Sequence, residues 1–316
     1  MQQHTVQTAA PRRLADYLPG VFPALTSGKV YRFAKEKKIR CNGAHVDGTH
    51  KVENGDILSL YLPDELLGAA AGPLFARARD ELAIVFENED LLVADKPSGL
   101  PVEDETGALP DTLINRALKA LAGRGVWQPG SGFTPCLCHR LDTGTSGLVL
   151  ISKTARCRDA MTEAIRQHQL KKIYLCATFG RPVPPAATLH AFLSKDAAHG
   201  QVYLSERARP GSREIVTGYR TLAVSGRLAL LQIELVTGRT HQIRAQMAAI
   251  GCPVLGDSKY GNHAANREFH LRYQLLTAYK ITLPSFDGTP LAALSQRTFT
   301  AAKPWYFAPL TGGEMK

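Results

Sequence analysis

The chain has 316 residues, of which 44% are hydrophobic and 21% are charged, and its formal net charge is +10. This length and composition are typical of a globular protein with one large and one small domain. No apolar run approaches the roughly 20 residues of a membrane span, and residues 1–11 are polar, so neither membrane insertion nor secretion is expected. We therefore expect a cytoplasmic protein, and the excess positive charge favours a polyanionic partner.

Six cysteines are scattered through segments with apolar patterns, and without an export signal they are expected to be reduced thiols. Cys136, Cys138 and His139 form a Cys-x-Cys-His cluster of a kind that binds metals. The sequence has no second cluster to supply the remaining ligands of a tetrahedral site. We therefore predict neither a metal nor a cofactor.

The first segment with a distinctive charge pattern is residues 28–40. Thr26 and Ser27 are suitable helix caps, and apolar residues recur at helical spacing behind them. An Asn-Gly turn at residues 42–43 and short strands up to residue 62 follow. Against the single acid Glu36, the helix and the start of the next strand carry six cations: Lys29, Arg32, Lys35, Lys37, Lys38 and Arg40. This surface suits RNA, although a merely solvated helix on an accessory domain is the alternative.

The rest of the chain predicts a larger domain at residues 83–310. It follows a linker at residues 63–82, which is rich in Ala and Gly around residues 68–72, and residues 1–12 and 311–316 are predicted as tails. Many consecutive strands and few helices predict an α+β fold with a mixed, mainly antiparallel central sheet. Helices are predicted near 112–121, 155–168 and 240–250, and strands at 83–86, 91–94, 171–179, 187–194, 212–222, 227–237 and 274–283.

Residues 139–151 form the most informative segment of this domain. A polar loop with Asp142, three hydroxyl side chains and two glycines leads directly into an apolar strand. Glycines let a backbone approach a ligand closely, and hydroxyls can fix the shape of a loop. Taken alone, an Asp in such a loop is more often a turn former than a catalyst.

A second polar segment, residues 237–244, opens the predicted helix 240–250, with Thr240 as its expected N-cap. Cations at a helix N-terminus oppose the helix dipole. An anionic ligand or a buried carboxylate partner would explain them. The polar side chains concerned are Arg239, His241, Gln242 and Arg244.

Together, these segments resemble the RluA family of pseudouridine synthases. The resemblance runs in order through residues 93–102, 139–151, 172–174, 237–244 and 251–261, and spans about residues 84–284. It implies the pseudouridine synthase fold and the isomerisation of uridine to pseudouridine within RNA. The basic segment and the turns at 42–43 and 54–56 resemble the S4 RNA-binding domain, here at residues 13–62, although residues 38–40 depart from the usual S4 pattern.

The resemblance also implies roles for three residues. Asp142 matches the essential aspartate of the family. Tyr174 matches an active-site tyrosine that lies against the base and is a candidate for removing the C5 proton. Arg244 matches the arginine that pairs with the aspartate and keeps it ionised.

Further residues are candidates for contact with the substrate or the RNA. Arg140 is expected to contact the RNA backbone or to fill the space that a flipped base leaves. For Lys172, His241 and Gln242 a structural role is equally open, and His139 completes the group. Asp257 and Lys259 are interpreted as loop architecture, and Asp95 receives no catalytic role.

The expected substrate is structured RNA, with large-subunit ribosomal RNA as the first choice and tRNA as the second. The target uridine must be flipped out of its stack to reach the pocket. We expect the protein to act as a monomer. Three alternatives use the same features: an inactive S4-type RNA-binding protein, a retaining glycosidase, and a uridine glycosylase. The glycosidase would need a second positioned carboxylate, and no motif supplies one.

Overall fold

The computed structural model describes residues 1–67, 73–104, 109–196 and 200–315. The Ala- and Gly-rich centre of the predicted linker, residues 68–72, lies outside the described residues. Two compact units divide the chain: Met1–Arg79 with Asp104–Asn115, and Asp80–Glu103 with Arg116–Lys316. Each unit has its own buried hydrophobic cluster.

The first unit combines short helices with antiparallel strands. Four strands form a sheet in the order β1-β6-β3-β4, and β2 pairs with β5. The elements are β1 (Gln2–Thr5), β2 (Arg12–Arg13), α1 (Leu14–Val21), α2 (Ser27–Lys35), β3 (Ile39–Cys41), β4 (Ala44–His45), β5 (Lys51–Val52), β6 (Ile57–Leu60), α3 (Asp64–Leu67) and a 3-10 turn (Leu74–Arg77).

Helix α2 is the basic helix predicted from the sequence. Thr26 caps it as expected, because its Oγ1 accepts the Lys29 N–H at 3.5 Å. The helix ends at Lys35, since Lys37 adopts a positive φ of 57° and β3 follows. Val30 and Phe33 bury the apolar face of the helix in the core of this unit.

The predicted tails and linker were wrong in part, because their backbones pair and their side chains pack. Strand β1 of the predicted N-terminal tail pairs with β6 along its whole length, and Val6 is fully buried. The predicted linker contains α3 and the 3-10 turn. In the predicted C-terminal tail, Met315 packs against a hydrophobic cluster of the second unit.

The second unit is built on one sheet of eleven strands. Nine follow the order β13-β12-β14-β15-β11-β16-β10-β8-β7, while β17 pairs with β16 and β9 with β10. The strands are β7 (Ala83–Glu87), β8 (Leu91–Lys96), β9 (Cys136–Leu137), β10 (Ser146–Ser152), β11 (Lys171–Phe179), β12 (Ala186–Asp196), β13 (Gln201–Ser205), β14 (Arg213–Ser225), β15 (Leu228–Leu235), β16 (Leu276–Thr282) and β17 (Thr298–Thr300).

The predicted mixed, mainly antiparallel sheet is confirmed. Strands β10 and β16 pair in parallel, and the other pairings of described strands are antiparallel. Strand β11 begins and ends where it was predicted, at Lys171 and Phe179. Strand β13 was missed, because its five residues before a polar loop give only a weak alternating pattern.

Helices cover the sheet. Cys157 and Met161 of α5 pack against Leu148 and Leu150 of β10. Ala245 of α6 packs in a cluster with residues of β12, β13 and β14. The helices are α4 (Leu113–Gly123), α5 (Ala155–Arg166), α6 (Gln242–Ala249), α7 (His263–Glu268) and α8 (Phe307–Thr311), with a further 3-10 turn at Ala292–Leu294.

Candidate active site

Asp142 lies in the loop that leads into β10, and two glycines allow this loop to approach Gln274 and Ala278 closely. The Thr145 N–H donates to the Asp142 carbonyl at 3.0 Å and closes a turn. A Cβ at Gly144 would overlap the amide of Gln274, and one at Gly147 would overlap the Ala278 carbonyl in the parallel β10–β16 pair. The glycines are therefore needed so that the loop can sit directly on β16.

Arg244 of α6 bridges two carboxylates. Its Nη1 donates to Asp142 Oδ2 at 2.7 Å, while its Nε and Nη2 donate to the two oxygens of Asp257 at 2.6 and 2.8 Å. Asp257 is fully buried and the Arg244 side chain is 6% exposed, whereas the Asp142 side chain is 27% exposed. The cation is thus fixed from behind by Asp257, and Asp142 is the carboxylate that faces solvent.

The electrostatics keep this network charged. Burial by itself would lower the pKa of Arg244, but the hydrogen bonds and charges of Asp257 and Asp142 raise it above its ordinary value. Burial would likewise raise the pKa of Asp257, but Arg244 holds it below the ordinary value. Asp257 also accepts the backbone N–H groups of Lys259 and Tyr260 at 2.8 and 3.1 Å. It shapes its loop, as the sequence suggested, and it anchors Arg244, which the sequence did not suggest.

His241 lies near the same oxygen of Asp142 that Arg244 binds. Its Nε2 is 3.9 Å from Asp142 Oδ2, and its Nδ1 is 3.0 Å from the Tyr260 hydroxyl. Burial lowers the pKa of His241, so the imidazole is neutral at pH 7. The predicted N-cap, Thr240, was wrong: His241 occupies the cap position with a left-handed φ of 55°. The amide of Gln242 caps this turn instead, because its Oε1 accepts the Arg239 N–H at 3.1 Å.

Tyr174 and Lys172 stand two positions apart on β11, on the same face of the strand. Tyr174 is 6% exposed, and burial followed by the negative charge of Asp142 raises the pKa of its phenol well above the ordinary value. Burial lowers the pKa of Lys172. A Cβ at Gly238 would lie 3.1 Å from Lys172 Nζ, so this amine reaches the loop that precedes α6.

The remaining predicted substrate contacts differ in exposure. Arg140 Nη1 lies 3.0 Å from Glu103 Oε1, and the Arg140 side chain is 58% exposed. His139 Nε2 accepts the Leu150 N–H at 3.2 Å, and burial lowers the pKa of His139 to about 4. Gln242 is 2% exposed, and its Nε2 donates to the Val216 carbonyl and to Thr217 Oγ1. Its amide is bonded to protein groups, which favours the structural role that the sequence analysis left open for Gln242.

Comparisons with known proteins agree with this geometry. The RNA pseudouridylate synthase family matches residues 90–249, which include the Asp142 loop, β11 and α6. The chain belongs to this family. It is 31% identical to the ribosomal large subunit pseudouridine synthase C of Rickettsia prowazekii over 81% of this chain and 84% of that protein. It is 30% identical to an uncharacterized RNA pseudouridine synthase of Bacillus subtilis over 74% of each chain.

The fold of the synthase is shared with human RNA pseudouridylate synthase domain containing 4. That structure superposes with a TM-score of 0.57 and 22% sequence identity, over 73% of this chain and 92% of the human one. The enzyme class predicted from the sequence, an RNA pseudouridine synthase, is confirmed.

One buried cation of the synthase escaped the sequence analysis. Lys96, at the end of β8, is fully buried, and its Nζ donates to the carbonyls of Pro97, Leu100 and Thr143 at 2.7–3.0 Å. Burial lowers the pKa of Lys96 to about 7, against the attraction of Asp142. Lys96 therefore ties the strand end at β8 to the loop that carries Asp142. The Lys-Pro pair in residues 93–102 was the signal for it.

The six cations predicted at residues 29–40 to contact RNA differ in their exposure and in their partners within the protein. Glu36 pairs with Lys38 at 2.8 Å and lies 3.7 Å from Arg32. Lys29 Nζ donates to the Ala24 carbonyl at 2.9 Å. The Arg40 guanidinium lies 5.5 Å from the centre of the Tyr61 ring, which is 43% exposed. Lys35 and Lys37 are exposed.

Two side chains of the Cys-x-Cys-His cluster, Cys138 and His139, form hydrogen bonds within the protein. Cys138 Sγ lies 3.0 Å from Ser152 Oγ, and the six cysteines are free thiols. Within the described ranges, no group of three His, Cys, Asp or Glu side chains is arranged to hold a metal ion. Over the same residues, no helix combines the length and hydrophobicity that crossing a membrane requires.

Proposed function

We propose that the protein isomerises specific uridines to pseudouridine in large-subunit ribosomal RNA, with Asp142 as the essential carboxylate. The observation that carries this proposal is the bridge from Asp142 through Arg244 to the buried Asp257. It supplies an ionised carboxylate of fixed orientation in a site that is closed on one side.

The reaction breaks the C1′–N1 bond, turns the uracil, and joins C1′ to C5. N1 gains a proton and C5 loses one, so the product is an isomer and no redox partner is needed. Cleavage builds positive charge on the sugar, which a carboxylate below the ring stabilises. Asp142 either attacks C1′ or abstracts a sugar proton, and both routes require the carboxylate to be ionised. Arg244 holds the carboxylate in place by a charge-assisted hydrogen bond.

We assign Tyr174 to contact with the uracil ring, and not to removal of the C5 proton. A phenol must lose its own proton before it can accept another, and both burial and the charge of Asp142 raise the pKa of Tyr174. A ring held close to Asp142 suits stacking against the uracil, which contributes about 1–3 kcal/mol per base. His241 is a base with a lowered pKa, and its Nε2 lies 3.9 Å from Asp142 Oδ2.

The uridine must leave its stack to reach this pocket. Arg140 follows directly on the half-buried His139, has an exposed side chain, and lies two residues before Asp142. A guanidinium in this place suits the phosphate of the flipped nucleotide or the gap that the base leaves. Lys172 supplies a second positive charge near the pocket, which favours the anionic backbone.

We assign RNA binding to the basic helix α2 and to β3 of the first unit, in the manner of an S4 domain. Lys35 and Lys37 are exposed, and Arg40 lies beside the exposed ring of Tyr61. Cations next to an exposed aromatic ring are a typical surface for RNA. Ribosomal RNA is preferred over tRNA because the Rickettsia prowazekii relative is named a ribosomal large subunit synthase.

The test is tritium release from RNA that carries tritium at uridine C5, supplied as separate unmodified ribosomal and transfer RNA pools. We expect release from large-subunit ribosomal RNA, followed by mapping of the modified uridine. Release from tRNA alone would overturn the assignment of substrate. Free uracil instead of pseudouridine would indicate a glycosylase, and binding without release would indicate an RNA-binding protein.

A further inference from the structure

The second unit contains an open groove of about 520 Å³ that lies outside the site described above. It is formed by α7, by the turn that follows it, and by the residues on either side of Asp257. Its lining is polar and basic, and consists of Gly256, Ser258, His263, Asn266, Arg267, His270, Leu271 and Arg272.

The groove carries a concentrated positive charge. Arg267 and Arg272 are exposed, and among the described residues neither forms an ion pair with a carboxylate. The one acidic residue of α7, Glu268, forms an ion pair with Arg227. Two unneutralised guanidinium groups that share one groove repel each other, unless an anion lies between them.

The groove is joined to the Asp142 site by hydrogen bonds. Asn266 is 8% exposed; its Oδ1 accepts the Gly256 N–H at 2.7 Å and its Nδ2 donates to the Asp257 carbonyl at 2.9 Å. Asp257 in turn holds Arg244. Ser258, on the rim of the groove, is therefore the residue next to the one that anchors the catalytic ion pair.

Two residues with positive φ shape the backbone of the groove. Gly256 adopts a φ of +83°, and a Cβ there would overlap the Tyr273 carbonyl, so this position needs glycine. His270 adopts a φ of 51° directly after α7, where the Leu271 N–H donates to the Asn266 carbonyl at 2.9 Å and ends the helix.

We propose that this groove binds phosphodiester groups of the RNA strand next to the flipped uridine. Arginine pairs with phosphate through two parallel hydrogen bonds, and the serine hydroxyl and histidine rings add further donors. Asn266 of the groove donates to Asp257, which holds Arg244, and we extend the RNA path along this connection from the Asp142 site to the groove. This inference rests on the proposed function, because it needs an RNA whose uridine occupies the Asp142 site.

The test is the equilibrium affinity for an unmodified transcript of bacterial large-subunit ribosomal RNA, measured with the full chain over a range of salt concentrations. We expect the double variant Arg267→Gln/Arg272→Gln to bind about 10-fold more weakly. The slope of log affinity against log salt concentration should be shallower by roughly 1.4–1.8 for this variant, since two phosphate contacts are lost. The variant Arg267→Lys/Arg272→Lys keeps both charges and should recover most of the slope.

The matched control is Arg158→Gln/Arg166→Gln, which removes two exposed charges from α5. A slope change in the groove variant no larger than in this control would overturn the proposal. A second arm replaces chloride with inorganic phosphate at equal ionic strength. If phosphate binds the groove while the Gln variant retains normal RNA affinity, the groove is a site for free phosphate and the proposal fails.

Binding does not depend on turnover, so the two proposals fail separately. If the wild type releases no tritium but the groove variant still has a shallower salt slope, the proposed reaction is rejected and the groove proposal is kept. Normal tritium release without a slope effect would reject the groove and keep the reaction.

Discussion

The ion-pair site around Arg244 and the basic surface of helix α2 are both rich in cations, but they use charge in opposite ways. Arg244 is buried between two carboxylates, and each hydrogen bond of its guanidinium is defined. On α2 and just after it, Arg32, Lys35 and Lys37 are exposed, and Glu36 lies close to Arg32 and Lys38. Buried charge gives orientation, whereas exposed charge gives attraction that falls with salt. The two regions should therefore respond differently to substitution.

The largest effect on the buried region is expected from Arg244→Ala. It leaves Asp257 as an unpaired buried carboxylate, which costs about 3–5 kcal/mol of stability. It also removes the partner of Asp142, so we expect the rate per folded enzyme to fall by roughly 100- to 1,000-fold. Thermal unfolding and tritium release, each compared with Arg166→Ala on α5, measure the two losses.

Arg244→Lys sharpens this test because it keeps the charge and loses the planar fork of donors. We expect stability to recover more than activity, since a lysine can neutralise Asp257 without also orienting Asp142. A near-normal rate in the alanine variant would mean that the Asp142–Arg244 pair has no part in the reaction.

A smaller effect is expected from Asp257→Asn. The amide is neutral and can no longer accept both Arg244 donors, so Arg244 loses its anchor while Asp142 remains intact. We expect a rate loss of about 10- to 100-fold, in kcat more than in KM. The control is Asp287→Asn, an exposed carboxylate bonded to Ser285. An unchanged kcat would show that Asp257 serves only its loop.

On the exposed region, Lys35→Gln/Lys37→Gln should leave kcat unchanged and weaken RNA binding several-fold. The log–log salt slope should become shallower by roughly 1.4–1.8, because each phosphate contact contributes 0.7–0.9. Arg13→Gln/Lys51→Gln removes two charges from the β2–β5 pair of the same unit and is the control. Equal slopes in both variants would mean that α2 contributes only general charge.

A separate effect, on stability alone, is the pH dependence that His139 contributes. Burial lowers its pKa to about 4 in the folded state, against about 6.5 when unfolded. Between these values the unfolded chain binds the extra proton, so stability is full above pH 6.5 and falls as the pH drops towards 4. Melting temperatures of the wild type and His139→Gln from pH 7.5 to 4.5 measure it. A parallel decline in both proteins would exclude His139 as the source.

Local patterns predicted the framework well where a single element decides the outcome. Strand β11 alternates and ends at turns, and Thr26 was a sufficient signal for the start of α2. The N-terminal strand β1 was missed because its pairing with β6 depends on residues more than fifty positions away. Thr240 failed as an N-cap because the preceding loop is shaped by Gln242, whose side chain turns back on it.

The active site likewise combines residues that the sequence motifs revealed with roles that depend on distant segments of the chain. The sequence motifs named Asp142 and Arg244, and the structure places their side chains 2.7 Å apart. The part played by Asp257 could not be read from its Gly-rich segment, because it depends on the separate helix α6 that brings Arg244 to it. Lys96 lies in the matched segment 93–102, but the sequence could not show that its side chain is buried and bonded to the Asp142 loop.

The central claim is that Asp142 is the carboxylate of the reaction, and Asp142→Asn tests it most directly. The amide keeps the size of the side chain and removes the charge. In single-turnover assays on large-subunit ribosomal RNA, we expect tritium release to fall by at least roughly 1,000-fold while RNA affinity is retained. Asp159→Asn, an exposed residue of α5, should behave as the wild type. Tritium release by Asp142→Asn within a few-fold of the wild type would contradict the account.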